Sequence, residues 1–278
     1  MTRRIDFHMH SLYSDGELSP AELILECWKQ RINCAALTDH DTVEGVEEFM
    51  IAAKEFSIQS FSGVELSCIH NGRGFHILGF GIDHQNNILL DELDYFRKLR
   101  RERATEIVKK LKACNWEVDD SILNKASGAI TRIEIAKAVE NRTIPANEFF
   151  NKWLGKNCPC FVKIERMAVE KAIELIHEAG GKAIWAHPAK TLEKDLGLLP
   201  RIAIEFKALG LDGLEVFYSE YNEAQTKIVH EVALRYDYIM TAGSDFHWVK
   251  GLCKLGGYNL YGLKFDPEEI VNSLQDRG

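Results

Sequence analysis

The chain has 278 residues, 46% hydrophobic and 27% charged, with a net charge of −8, values that fit a soluble globular protein and give no overall basic character for nucleic acid. No apolar run reaches the roughly 18 residues of a membrane span, and Met-Thr-Arg-Arg leads straight into a strand without the apolar segment of a signal peptide. Seven scattered cysteines read as reduced thiols, Cys158-Pro159-Cys160 included, so the expected location is the cytoplasm.

Taken in chain order, residues 5–8 predict a short strand that ends in His8-Met9-His10, with Asp15 close behind. Alternate strand residues share a face, so two imidazoles aim at one point. Ser19 and Pro20 read as an N-cap and first helical residue. A strand at 35–37 closes on His40 between Asp39 and Asp41. A helix is expected over 42–56, with Val46, Phe49, Met50 and Ala53 on one face. Strands at 61–65 and 74–80 supply Glu65 and His76. From about 90 to 163 the apolar residues recur at helical spacing, and the next strand is expected only at Phe161-Val162. The β–α rhythm then returns. A helix over 172–179 is stopped by Gly180-Gly181, and strands at 182–187, 212–217 and 238–243 lead to His187, Asp245 and His247. Alternating strands and helices imply a parallel sheet, whose strand C-termini gather chemistry.

The candidate ligands are His8, His10, Asp15, His40, Glu65, His76, His187, Asp245 and His247. Nine imidazoles and carboxylates exceed the needs of one ion and suit two or three divalent transition ions, Mn, Fe or Zn. Clustered ions of this kind clamp phosphoryl oxygens and generate hydroxide near neutral pH. A phosphoester hydrolase is therefore the first reading. His70, His84, His177 and His230 lack acidic neighbours at ligand spacing and read as ordinary surface or core residues. No P-loop and no nucleophile-elbow motif is present. Between Arg97 and Lys112 lie eight basic residues and two acids, which is either a solvated helix face or a cationic rim for phosphates.

Asp-Phe-His-Met-His-Ser, Thr-Asp-His-Asp-Thr, Gly-Val-Glu-Leu-Ser, Phe-His-Ile-Leu-Gly, Ala-His-Pro and Gly-Ser-Asp-Phe-His, in that order over residues 5–247, resemble the motifs of the PHP (polymerase and histidinol phosphatase) superfamily. The resemblance implies an α/β fold, a distorted (β/α)7 barrel formed by 1–90 and 164–278, with a small helical domain inserted at 91–163 over the active site. It implies one ion on His8, His10, Glu65 and Asp245, a second on Asp15, His40 and His247, and a third on His76 and His187 with Glu65 bridging. Glu65 and His187 carry the catalytic expectation, His187 by assisting proton transfer.

Within the superfamily, Ile130-Thr131-Arg132 and the 150–162 segment resemble the insertion of stand-alone enzymes that convert 3′,5′-bisphosphonucleosides to 5′-mononucleotides and in some cases trim RNA from its 5′ end. Ser127-Gly128-Ala129-Ile130-Thr131-Arg132 stands where Arg-Pro-x-Ile-Ala-Arg is common, and Trp248 stands where Gly is usual. The expected substrate is a nucleotide or short RNA carrying a 5′-phosphate. Arg132, Ser127 and Thr131 are expected to hold that phosphate, and Phe217 and Tyr218 to stack the base. Histidinol-phosphate phosphatase, a metal-dependent amidohydrolase and a non-catalytic proofreading module are the alternatives. No membrane association and no protein partner are expected.

Overall fold

The computed structural model describes residues 3–124, 129–251 and 253–275. Strands β1 (Ile5–Asp6), β2 (Cys34–Ala36) and β3 (Gln59–Phe61) form a parallel sheet in sequence order. A second sheet contains β4 (Gly63–His70), β5 (Arg73–Phe80), β6 (Met167–Ala168), β7 (Lys182–Trp185), β8 (Gly213–Tyr218) and β9 (Ile239–Gly243). Its order is β6-β4-β5-β7-β8-β9. Two isolated parallel bridges connect the sheets, Met9 to Phe246 and His40 to Glu65, without forming one closed ladder. The architecture is a mixed α/β fold of largely parallel strands with flanking helices.

The purely parallel expectation fails at β5, which runs antiparallel to both β4 and β7. Asn71 and Gly72 explain it. Both have positive φ (48° and 76°) and form a two-residue hairpin between His70 and Arg73, which leaves no room for a crossover. The strand expected at Phe161-Val162 is also absent: those residues carry no strand pairing, and the short β6 begins at Met167.

Helix α1 (Pro20–Lys29) starts as expected, with a reciprocal capping box between Ser19 and Glu22. Helix α2 (Val46–Glu55) starts four residues later than expected. The Thr42 hydroxyl accepts from the backbone N–H of Glu44, a local turn that competes with helix entry. Helix α3 (Asn87–Ala113) is the longest, and four short helical segments follow it among the described residues before β6, including α4 (Arg132–Lys137). Helix α5 (Val169–Glu178) packs against β5, and α6 (Pro188–Thr191), α7 (Leu199–Ala208), α8 (Glu223–Arg235) and α9 (Pro267–Gln275) complete the chain. None of the described helices is long and apolar enough to cross a membrane.

The buried apolar residues form three clusters. The largest lies among β4, β5, β7, β8 and the helices outside them, and a second packs α1 and α2 against the first sheet. A third is built entirely from residues between Ala104 and Val162. Helix α3 belongs to two of them, since Leu89 and Leu93 enter the first and Ala104, Ile107, Val108 and Leu111 enter the third.

Candidate active site

The strand ends bring the predicted ligands to one place. His8 and His10 follow β1 with Met9 between them turned into the core, His40 follows β2, Glu65 lies in β4, and Asp245 and His247 follow β9. Three groups of side-chain atoms lie within 4.8 Å of one another: His8, His10, Glu65 and Asp245; His10, Asp15, His40 and His247; and His40, Glu65 and His76. Glu65 is common to two of them. His187 stands beside the third, its Nε2 3.2 Å from Glu65 Oε1, without belonging to a mutually close set. Backbone strain accompanies this geometry: His187 and Asp245 have φ of 35° and 55°, a region that costs a non-glycine residue free energy.

The cluster is buried and crowded with opposite charge. His8 Nε2 and His10 Nε2 each lie 3.2 Å from Glu65 Oε2, and His10 Nε2 lies 3.1 Å from Asp245 Oδ1. Burial disfavours a charge on His8, but Glu215, Glu65 and Asp245 outweigh it and hold its pKa well above the usual value. Burial likewise opposes a charge on His10, and hydrogen bonds to Asp245 and Glu65 raise its pKa to about 10. Burial works against the charged forms of Glu65 and Asp245, yet the surrounding imidazoles draw both far below the usual carboxylate range. Burial dominates at His40, whose pKa falls to about 4, and it also lowers His187. The carboxylates thus demand positive charge at their centre, which divalent ions supply in place of imidazole protons.

Asp15 Oδ1, His40 Nδ1 and His76 Nδ1 provide the test of fit. All three are buried without a hydrogen-bond partner. His40 Nδ1 and His76 Nδ1 stand 3.1 and 2.7 Å from Glu65 oxygens, and His247 Nε2 stands 3.2 Å from Asp15 Oδ1. Close approach without hydrogen-bond alignment is what ligand atoms facing a shared centre display. The His/Asp/Glu cluster fits divalent metal binding.

Sequence reasoning missed the group behind the ligands. Glu215 is fully buried in β8. Its Oε1 accepts from His8 Nδ1 at 2.9 Å and its Oε2 from the His187 backbone N–H at 2.7 Å. A carboxylate on the far nitrogen fixes the tautomer and aims His8 Nε2 at the centre. Gly243 makes room for it, since a Cβ there would sit 2.3 Å from His8 Cβ and 2.6 Å from Glu215 Oε1. The available signal was a lone acid inside the apolar run Leu214-Glu215-Val216-Phe217.

Beside the metal cluster lies a cavity of about 260 Å³ that shares Asp15, His40 and His76 with it. Arg100, Arg103, Arg132 and Arg166 line it together with the acids Asp41 and Glu165. Arg100 bonds Asp41 and Ser67, whereas Arg103, only 6% exposed, leaves its Nε unpartnered. Burial, then Arg100, Arg132 and Arg166, push the Arg103 pKa down to about 8. Burial, then Arg166 and Arg100, lower Arg132 to about 10. A guanidinium holds its proton under such pressure, so the cavity is short of an anion. The basic run of α3 is therefore divided. Arg100 and Arg103 face this cavity, while Arg97, Lys109 and Lys112 pair with acids at the surface.

The remaining predicted residues separate. Arg132 lines the cavity, donates to Leu154 O at 2.9 Å and lies 4.9 Å over the Phe150 ring. Helix α4 has only six residues, and Thr131 caps it by accepting from the Glu134 N–H, so the helix end offers less than expected. Ser127 lies outside the described residues. Phe217 and Tyr218 cannot stack a base, because both are buried, at 0% and 1% exposure. The Phe217 ring packs against Phe265, and the Tyr218 hydroxyl donates to Asp245 Oδ2 at 2.7 Å. Trp248 is 36% exposed and 5.1 Å from the His247 ring. Lys137 Nζ lies 4.7 Å from the centroid of the Trp248 ring and donates to Asp15 O at 3.4 Å, which ties α4 to the metal cluster.

Residues 6–140 match the PHP domain. A 5′-3′ exoribonuclease of Haemophilus influenzae is 38% identical over 259 residues, 92% of this chain and 94% of the relative. The chain belongs to the PHP family. A 3′,5′-nucleoside bisphosphate phosphatase of Chromobacterium violaceum is 31% identical over 87% of both chains. The solved structure of an amidohydrolase from Chromobacterium violaceum with bound sulfate superposes with a TM-score of 0.86 at 29% identity, covering 98% of this chain and 96% of that one. This PHP protein is a phosphoesterase, a hydrolase acting on phosphoric ester bonds.

Proposed function

We propose that this PHP enzyme hydrolyses the 3′-side phosphate of 5′-phosphorylated nucleotides, taking 3′,5′-bisphosphonucleosides or the 5′ ends of short RNA to 5′-mononucleotides in the cytoplasm. One observation carries the reading: the imidazole–carboxylate cluster and an anion-deficient cavity of four arginines share the walls Asp15, His40 and His76. A substrate with a reacting phosphate and a second phosphate satisfies both sites at once. In this reading the two sheets are parts of a distorted (β/α)7 barrel, and residues 91–163 are the inserted helical domain that brings Arg100, Arg103 and Arg132 to it.

The nine His, Asp and Glu residues would hold two or three Mn, Fe or Zn ions, with Glu65 bridging. Such ions supply Lewis acidity at the phosphoryl oxygens and lower the pKa of a water. The chain's own groups do the rest. Arg103, Arg132 and Arg166 bind and orient the 5′-phosphate by charge-assisted hydrogen bonds. Glu215 holds the His8 ring and the His187 backbone in register. His187, whose pKa burial lowers and which is less committed to a ligand set than His76, takes a proton from the attacking water and passes it to the leaving O3′.

Phosphate release from a 3′,5′-bisphosphonucleoside, the same nucleoside 3′-phosphate with a free 5′-hydroxyl, and histidinol phosphate tests the reading. The bisphosphonucleoside should lead, and Arg132→Ala should lose most of that preference while an aryl phosphate is still cleaved. Equal turnover with and without the 5′-phosphate by the unmutated enzyme would overturn it.

A further inference from the structure

Two cavities border the metal cluster. Besides the arginine cavity there is a second one of about 370 Å³, which shares His40, His76 and Arg166 with it, is walled also by Glu65, His187, Asp245 and His247, and extends past Gly74 and Thr191 to Lys190. Release of a terminal phosphate requires an organic pocket on one side only, since the other phosphoryl oxygens are bare. A cavity of this size falls in the range of about 300–1,000 Å³ that holds small-molecule ligands. Lys190 lies on its wall, with Nζ 2.6 Å from the Tyr218 hydroxyl, 2.6 Å from Glu220 Oε2 and 3.5 Å from Asp245 Oδ2. Tyr218 and Asp245 are buried and anchor the lysine beside the reaction centre, whereas Glu220 is half-exposed, so solvent screens its hold on the lysine.

We propose that this second cavity is the subsite for the nucleotide on the 3′ side of the reacting phosphate, and that Lys190 binds that nucleotide's own 3′-phosphate when the substrate is short RNA. The inference rests on the reading above, in which the 5′-nucleotide occupies the arginine cavity. The bond broken is the same in both substrate types. Water adds to phosphorus, the P–O3′ bond breaks, and the leaving O3′ of the first nucleotide takes a proton. The substituent left on phosphorus is an unesterified oxygen in the bisphosphonucleoside and the O5′ of the next nucleotide in RNA. RNA thus yields a 5′-mononucleotide and a shortened chain that again carries a 5′-phosphate. Lys190 touches only the second case.

The test compares kcat/KM for a 3′,5′-bisphosphonucleoside and a 5′-phosphorylated trinucleotide in the metal-loaded wild type, Lys190→Gln and Lys190→Arg. Lys190→Gln should lower the trinucleotide-to-bisphosphonucleoside ratio at least tenfold, and Lys190→Arg should restore most of it. An unchanged ratio overturns the proposal, as does a parallel fall on both substrates, which would make Lys190 a support for Asp245. A wild type that cleaves the bisphosphonucleoside but not the trinucleotide defeats the subsite and leaves the proposed function standing. Failure on the bisphosphonucleoside defeats the proposed function itself.

Discussion

Two clusters of buried charge share a wall in this protein, and they are balanced in opposite ways. Around Glu65, each carboxylate faces imidazoles that its charge draws toward protonation, so the cluster is closed on itself except for cations. Around Arg103, guanidiniums face one another, with Asp41 on Arg100 and a peripheral Glu165 that accepts from Tyr95. The first region is built to receive positive charge and the second to receive negative charge. Their adjacency, more than either alone, is what supports the proposal of a substrate with two separated phosphates.

The comparison breaks most violently at Glu65. Glu65→Ala removes a carboxylate shared by two ligand groups, so bound metal should fall by more than one equivalent and hydrolysis should be lost. His247→Ala, which touches one group, should weaken one ion. Elemental analysis of both variants checks this, and equal metal content in the two would sink the bridging role. Glu215→Gln comes next. It keeps the shape behind His8 and removes the charge, and should cost about 10–100-fold in metal affinity or activity, read by metal titration.

A third change sharpens the contrast most. Arg103→Met removes a buried, unpaired charge, and replacing such a group by an apolar one stabilises by about 1–4 kcal/mol where the site packs well. The same change removes charged hydrogen bonds worth about 1.5–3 kcal/mol each, so the preference for 5′-phosphorylated substrates should drop about 10–100-fold. Thermal unfolding and a paired-substrate assay read the two halves. A less stable variant with intact preference would contradict the anion-deficient cavity.

The two regions also differ in how far the sequence foretold them. His8, His10, His40, Glu65, Asp245 and His247 could be read because a metal site demands particular residue types, and strand alternation fixes where they point. Glu215 looked like one acid in an apolar strand, and only the approach of β1 to β9 shows that it faces His8. The arginine cavity depends on tertiary contact. Arg103 sits among surface-seeking neighbours on α3, and Arg166 follows a stretch without regular structure. Phe217 and Tyr218 failed for the complementary reason: strand spacing gives alternation, but β8 is covered on both faces, so neither ring reaches solvent. The antiparallel β5 was legible at Asn71-Gly72 and was masked by the surrounding β–α rhythm.

Helix α3 gives the arginines a second consequence. It runs from the largest apolar core into the one built by residues 104–162, and Arg100 and Arg103 sit where it passes from one to the other. An anion held there joins α3, α4 and the segment before β6 through Arg103, Arg132 and Arg166, where mutual repulsion otherwise pushes them apart. Ligand binding should therefore feed into folding cooperativity: thermal unfolding with inorganic phosphate should show the two cores in one transition, and without it the smaller core should melt first.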